Sequence, residues 1–529
     1  MPSDCISYQN SGYFTKLITD YLNKKPELQS LYHRFPTIDN FLPQIEEKTR
    51  NFPDENRAVL VESLLQQNKN FTLFESTLHN VELLKQTNTF TITTGHQLNL
   101  FTGPLYFIYK IVSVINLCKE LKSKYHNFNF VPIYWMATED HDFDEINHFT
   151  FKTTKVKWNK DSKGPVGRLS TQGLEEVYAQ FENEIGVGDN AAYLKELFRK
   201  AYLEHDTLAE ATRFLANELF KEEGLVIIDG DDINLKRLFT PFVKKELLEQ
   251  TSFQNVSETN KSLSMYDIQV NPREINLFYI EDQLRERIVF EDGKYIINNT
   301  KIEFSENEIL TELENHPEKF SPNVILRPLY QEVILPNLCY IGGGGEIAYW
   351  LQLKSNFVSN QITFPILLVR NSVVIASEKQ IQKIDKLELS WSDLFMKQQD
   401  LINKKTRELS SLTIDFTEQK EFLKQQFITL NDIAKRTDPS FIGAVKAQEA
   451  KQIKGLENLE KRLLKAEKRI LSNQLERITL IQNELFPNQG LQERKQNFSE
   501  FYLQSGQLLI SKLLAELNPL NQNFSILVL

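Results

Sequence analysis

Five carboxylates fall within seven residues, at Glu139, Asp140, Asp142, Asp144 and Glu145, with His141 among them and His148 just beyond. Carboxylates this close raise one another's pKa unless a cation, an arginine or good hydrogen-bond donors relieve them. Such a string is either a solvated surface loop or part of a site. Here it directly follows the apolar run Val131-Pro132-Ile133-Tyr134-Trp135-Met136, which favours a site. Magnesium would suit it, since that ion takes one or two carboxylates together with substrate phosphates. The spacing of His141 and His148 fits no common zinc pattern, so no structural zinc is expected. A second polar cluster, Thr94-Gly95-His96-Gln97, ends another short apolar stretch. His96 there either donates to phosphate charge developing during attack on ATP or makes an ordinary structural hydrogen bond.

Both clusters need elements to position them. Thr89 to Thr93 reads as a strand and Leu105 to Leu121 as a mostly buried helix, with a narrow polar stripe through Lys110, Ser113, Asn116 and Glu120. Thr102 is placed as its N-cap and Pro104 in its first turn. Phe130 to Ala137 then reads as a buried parallel strand. A strand, crossover helix and parallel strand put both clusters on one sheet edge, where ligands of open α/β sheets bind. The helix start adds backbone N–H groups and a positive dipole end, suited to phosphate or carboxylate.

The same alternation recurs further along. Leu225 to Ile228 predicts a strand ending in Asp229-Gly230-Asp231-Asp232, either a hydroxyl acceptor or a solvated turn. Val324 to Leu326 predicts a strand left by Arg327, and Pro365 to Val369 a last core strand ending at Arg370. Between them Gly342-Gly343-Gly344-Gly345 lets the backbone approach a ligand, with Glu346 starting a helix. The run is neither a Walker A loop nor a GxGxxG fingerprint. Gly164 to Arg168 is read as hairpin punctuation, or as a turn holding an arginine over the site.

At 529 residues, about three domains are expected. The expected organisation is an N-terminal helical segment at 1–88, a core at 89–376 with insertions at about 150–222 and 240–320, a helical arm at 377–485, and a returning segment at 486–529. The second insertion reads as β-hairpins, and Phe149 to Trp158 alternates like a strand. Within the arm, Leu456, Leu459, Leu463, Ala466 and Ile470 have coiled-coil spacing, in a helix read as running from 441 to 485 after one at 415–436. Charged residues are 25% and net charge is −10, with no long basic block, so neither nucleic acid nor membrane is an expected partner. No run approaches the roughly twenty apolar residues of a membrane span and no signal peptide begins the chain, so a cytoplasmic location is expected. Cys5, Cys118 and Cys339 form no CxxC pair.

The string from Thr93 to Gln97, Leu100 to Tyr106 with Lys110, Ala137 to Glu145 with Asn147 and His148, Ser321 to Glu332, and the glycine run with Glu346, Ala348, Tyr349 and Trp350 together resemble the BshC cysteine-ligase family of bacillithiol biosynthesis. The resemblance covers essentially the whole chain, with Gly344 standing where that family usually has proline. No clear HIGH or KMSKS signature of class I synthetases is present. The family implies an α/β fold with a Rossmann-like parallel-sheet core, connecting insertions and a coiled-coil arm that pairs subunits into a homodimer. It implies joining of L-cysteine to glucosaminyl malate, with ATP activating the cysteine carboxylate.

On that basis His96, Asp140, His141 and Asp142 are expected to carry catalysis. Gln97, Asn99, Trp135, Asp144, Glu145, Asn147 and Arg327 are expected to bind substrate. Gly95, Thr102, Gly103, Tyr106, Lys110, Gly343, Gly344 and Glu346 are expected to hold the nucleotide, and no residue is assigned as a protein metal ligand. Two rival readings remain: a metal-dependent hydrolase or deacetylase built on the acidic string, and a nucleotide-binding coiled-coil scaffold without turnover.

Overall fold

The strand Thr89–His96 (β1) is buried along its whole length, and its threonines are accommodated by hydrogen bonds that only a paired sheet supplies. Thr91 and Thr93 hydroxyls donate to Asn337 Oδ1, and the Thr94 hydroxyl to the Ile341 carbonyl. These contacts are taken from a computed structural model, which describes residues 4–529.

From β1 the chain passes through the helix Tyr106–Lys124 (α1) to Asn129–Met136 (β2), and later to Val226–Asp229 (β3), followed by the helix Ile233–Glu249 (α2). A short helix, Arg327–Ile334 (α3), leads into Asn337–Gly342 (β4), the helix Gly344–Trp350 (α4) and Ile366–Val369 (β5). The five strands are parallel, in the spatial order β5-β4-β1-β2-β3. The chain moves outward from β1 to β3, then returns to lay β4 on the other flank of β1. That reversal is the Rossmann-type switch point, and it opens a crevice at the carboxyl ends of β1 and β4. Register aligns Gly95 with Trp135, His96 with Met136, Met136 with Asp229, and Gly342 with Val369, so every strand terminates at one edge.

Helix α1 is buried on two sides. Phe107, Ile108, Ile111, Val112 and Ile115 enter one core cluster, and Val114, Leu117, Cys118 and Leu121 enter another with Phe90, Ile92, Leu338 and Leu368. Its polar stripe is not a solvent face. Lys110 donates to the Gly95 carbonyl, Ser113 to Asn371, and Asn116 to the Leu514 and Leu517 carbonyls.

Several local expectations are corrected. Thr102 is not the N-cap of α1: residues Leu100–Thr102 form a separate 3-10 turn with left-handed backbone at Phe101 and Thr102, and α1 starts at Tyr106. Val324 to Leu326 is a turn; the strand there is Phe320–Pro322, in the antiparallel sheet of the insertion. Phe149 to Trp158 is a hairpin of His148–Phe151 and Thr154–Lys157, turned at Lys152 with φ 55°. The segment read as 1–88 is not only helical, since Asp4–Ser7 is a strand paired with Asn523–Val528; residues 1–3 lie outside the described residues.

The chain divides into two compact units. One holds the chain up to Ile375 together with Gln492–Leu529; the other is Ala376–Leu491. Within the second unit, Thr417–Ala434 and Pro439–Ile470 form a helical hairpin, and the second helix breaks at Leu471 before Ser472–Leu485. Asp438 caps it, with Pro439 in its first turn. Its small core joins Phe427, Ala434 and Val445. Of Leu456, Leu459, Leu463, Ala466 and Ile470, the residues Leu456 and Leu463 are half-buried and the other three exposed.

Candidate active site at the strand ends

A cleft of about 930 Å³ opens at the ends of β1, β2 and β4. Its wall carries Gly95, His96, Gln97, Tyr106, Lys110, Trp135, Asp140, Glu145, Arg327, Gly343 and Glu346, all assigned from the sequence. It also carries Arg273, Arg285, Arg287, Arg370, Arg494, Tyr340 and Tyr349, which were not. Basic side chains outnumber acidic ones there, so the cleft favours an anion although the chain is acidic overall.

At the switch point Lys110 Nζ lies 2.6 Å from the Gly95 carbonyl and 2.6 Å from Glu346 Oε2. Glu346 also accepts from the Gly343 N–H at 2.8 Å and the Tyr340 hydroxyl at 2.7 Å. Burial pulls the Lys110 pKa down, and Glu346 only partly offsets it. Burial opposes ionisation of Glu346, but Lys110 prevails and holds its carboxyl below the usual range. Gly95 lies in close approach: a Cβ there would sit 3.2 Å from the Tyr340 hydroxyl, which would have to give by a few tenths of an ångström.

Arg327, at the start of α3, is surrounded by Trp135, Tyr340 and Trp350, with ring centroids 5.6, 5.6 and 5.9 Å from its guanidinium carbon. Its Nη1 donates to Gln331, while its buried Nη2 has no partner. Arg370 follows β5; Glu493 lies 2.6 Å from its Nη2, and its buried Nε is likewise unpartnered. Arg285 reaches in from the strand Leu284–Glu291, 4.0 Å over the Phe278 ring and 3.6 Å from Asp140, with its Nε unpartnered. Unsatisfied buried donors are uncommon in folded proteins, and three of the arginines lining this cleft carry one each.

His96 is buried between the rings of Tyr106 and Phe107. Burial, reinforced by Lys110 and Arg370, holds its pKa well below the ordinary value, so the ring is neutral. The nearby Thr102 backbone opposes this shift without overcoming it. Nε2 has no partner. A neutral imidazole carries its hydrogen on one nitrogen and accepts at the other, so the ring can serve either as donor or as acceptor.

The acidic string does not act as one cluster. Burial opposes ionisation of Asp140, yet hydrogen bonds from His141 and Gln97 and the charge of Arg285 hold its carboxyl well below the usual range. Gln97 bridges Asp140 and Glu145 at 3.0 and 2.8 Å. Glu139, also on the cleft wall, pairs with Lys236 of α2. Asp142 and His141 are exposed, and Asn147 supports the local turn through Asp144 and His148. Asn99 donates to the Glu145 carbonyl, holding the loop from below. Among the described residues no three His, Cys, Asp or Glu side chains gather as a metal-binding group.

Asn99, Thr102, Gly103, Asp142, Asp144 and Asn147 are not among the residues lining this cleft, and His141 stands at its margin, its Nδ1 2.5 Å from Arg285 Nη1. Gly344 is the first residue of α4, and a Cβ there would meet Phe14 and Ile18, so the glycine run is a structured strand-to-helix junction. Arg168 forms a two-armed pair with Asp231 at 2.8 and 2.9 Å, and its turn is short helix, not hairpin. Asp229 and Asp231 are not a solvated turn: burial and Asp231 push the Asp229 pKa up to about 6. Of the missed residues, Arg370 alone had a sequence signal, as the residue ending a predicted strand.

A switch-point crevice in a parallel sheet, walled by cations and aromatic rings, defines a Rossmann-like α/β protein. The family model for the BshC N-terminal Rossmann-like domain of bacillithiol biosynthesis matches residues 1–371, and that for the BshC C-terminal coiled-coil domain matches residues 373–529. The chain belongs to the BshC family. It is 64% identical to the "Putative cysteine ligase BshC" of Flavobacterium johnsoniae over the full length of both. It is 62% identical to that of Flavobacterium psychrophilum, covering 100% of this chain and 99% of the relative. Identity is 30% with that of Bacillus thuringiensis strain Al Hakam, over 93% of this chain and 94% of the relative.

Proposed function

We propose that this chain is a ligase joining L-cysteine to glucosaminyl malate, the last step of bacillithiol synthesis, with ATP activating the cysteine carboxylate. The observation that carries the reading is the set of buried, unpartnered donors on Arg285, Arg327 and Arg370. Each open donor costs about 1–3 kcal/mol, which a bound anion relieves. The malate portion offers two carboxylates and the nucleotide its phosphates, so both substrates match. ATP supplies the leaving group that makes the cysteine carboxyl carbon open to attack; magnesium enters with it, held mainly by phosphate oxygens and water.

Lys110, Arg327 and Arg370 hold and neutralise the anionic groups, as positioning and charge stabilisation dominate such chemistry. Asp140 and Glu145, joined by Gln97, attract the cysteine ammonium at the cleft mouth. Trp135, Tyr340 and Tyr349 restrict water. His96 Nε2 accepts the proton that the glucosamine amine loses as the amide forms. The open apolar strip of the arm, with Phe422 67%, Leu459 52% and Ile470 74% exposed, supports a homodimer through that surface. The protein works in the cytoplasm, where ATP is supplied.

The test is incubation of the purified protein with cysteine, glucosaminyl malate, magnesium and ATP, with product detection by mass spectrometry. ATP-dependent bacillithiol is expected, together with accumulated glucosaminyl malate in cells lacking the gene. Normal bacillithiol in those cells would assign cysteine addition to another protein.

A further inference from the structure

A chain of buried polar side chains runs from the helix Phe41–Asn51, ahead of the sheet, to Arg327 in the cleft. Lys48 of that helix lies 2.9 Å from Glu332 Oε2. Glu332 Oε1 accepts from Gln331 Nε2 at 3.0 Å and from Asn337 Nδ2 at 2.6 Å. Gln331 Oε1 in turn accepts from Arg327 Nη1 at 3.0 Å. Lys48, Gln331, Glu332 and Asn337 are all fully buried, so solvent cannot replace these contacts. Arg327 and Gln331 stand four residues apart on α3, which puts both side chains on one face of the helix. The guanidinium lies at the end of β1, where a Cβ on Gly95 would sit 3.9 Å from Nη1.

Chemistry fixes the direction of each hydrogen bond in the chain. A carboxylate only accepts and a guanidinium only donates, so an amide between them must give its Nε2 to Glu332 and its Oε1 to Arg327. Reversed, it would set lone pair against lone pair at one end and N–H against N–H at the other. Asn337 is oriented by the same carboxylate, and its Oδ1 is left for the Thr91 and Thr93 hydroxyls of β1. Burial raises the Glu332 pKa, and Lys48 leads the groups that oppose the rise. The arrangement also leaves the cation its charge. The side-chain acceptor at Arg327 is a neutral amide, whereas the carboxylate stands one residue further off and is balanced by Lys48. Arg370 differs, since Glu493 pairs with its guanidinium directly. We propose that Gln331, oriented by Glu332, is a positioning residue for Arg327: it fixes Nη1 so that the open Nη2 meets an anionic group of the substrate with the charge intact. This rests on the ligase reading, which assigns Arg327 to such a group. A guanidinium already held loses less freedom when the anion arrives, so the hold contributes to affinity.

The test is a double-mutant cycle on the full-length protein, read by calorimetric titration with glucosaminyl malate and with ATP. Gln331→Met keeps the length and volume of the side chain but offers Arg327 no oxygen. Expected is binding weakened by about fivefold or more for whichever ligand Arg327→Met also loses. In an Arg327→Met background the same substitution should change neither affinity by more than about twofold, because its effect passes through the guanidinium. Both affinities within about twofold of wild type for Gln331→Met alone overturn the proposal. An equal loss in the two backgrounds also overturns it, marking a residue that serves the fold alone. If Gln331→Met does not fold, Gln331→Asn, whose amide is one methylene too short to span Glu332 and Arg327, is read in the same cycle. If Arg327→Met changes neither affinity, the functional reading of Arg327 fails by itself. The crystal structure of Gln331→Met then decides: a displaced guanidinium upholds the positioning role, and an unmoved one overturns it.

Discussion

Replacing Arg327 by methionine should remove substrate binding while leaving the fold nearly as stable. Methionine keeps most of the length and apolar volume between Trp135, Tyr340 and Trp350. The variant loses a cation–π contribution of about 0.5–2 kcal/mol and the hydrogen bond to Gln331, worth about 1 kcal/mol. It is relieved of the unpartnered Nη2, which costs about 1–3 kcal/mol. These terms nearly cancel, so the thermal midpoint should stay within about 3 °C. A charge-assisted hydrogen bond to an anion contributes about 1.5–3 kcal/mol, or roughly 10–150-fold in affinity, and that is lost outright. Calorimetric titration with glucosaminyl malate and with ATP, beside a thermal melt, reads both quantities. Affinity for both ligands within threefold of wild type, or a midpoint lower by more than about 8 °C, would refute the reasoning, since Arg327 would then be a structural residue.

Lys48 and Glu332 form a pair 2.9 Å apart with almost no exposure. Lys48→Met strands the carboxylate and should cost about 3–5 kcal/mol in urea unfolding, while adding Glu332→Gln should recover much of it; equal loss in both would count against the pair. Asp229 titrates at about 6 in the folded chain against an ordinary 3.8 for a solvated aspartate, so folded protein binds more protons between those values and stability falls as pH rises through that window. Asp229→Asn should therefore gain over wild type between pH 4 and pH 7, by up to about 3 kcal/mol, and a pH-independent difference in urea midpoints would contradict this. Phe422→Glu on the arm should convert a dimer to a 61.8 kDa monomer by light scattering, and a wild type already monomeric at micromolar concentration would remove the homodimer reading.

Much of the scaffold was legible because it is written in short range. The periodicity of 89–136 specifies strand, helix and strand, and a parallel pair so connected must put Gly95, His96 and Trp135 at one edge. The same locality explains the errors. Thr102 and Pro104 have the composition of a helix start, but the chain before Tyr106 is bent into a left-handed turn by Asn497 and Tyr202, partners absent from any local window. Val324 to Leu326 looks like a strand in composition, yet Asn323 Oδ1 accepts from the Ile325 and Leu326 N–H groups and turns the chain instead.

What the sequence determined by itself was the strand, helix and strand unit at 89–136, the strands near Leu225 to Ile228 and Pro365 to Val369, and the motifs at the sheet edge; the strand Asn337–Gly342 and the spatial order around β1 came from the fold. Only the tertiary structure decided which polar residues share the cleft: it brings in Arg285 from the β insertion, Arg370 from the last core strand and Arg494 from the segment after the arm, while turning Asp142 and Asp144 outward. The physical reason is that side-chain direction at a strand end depends on partners distant in sequence. Glu139 is drawn to Lys236, Asp140 to Gln97 and Arg285, and His96 is packed against Tyr106 and Phe107.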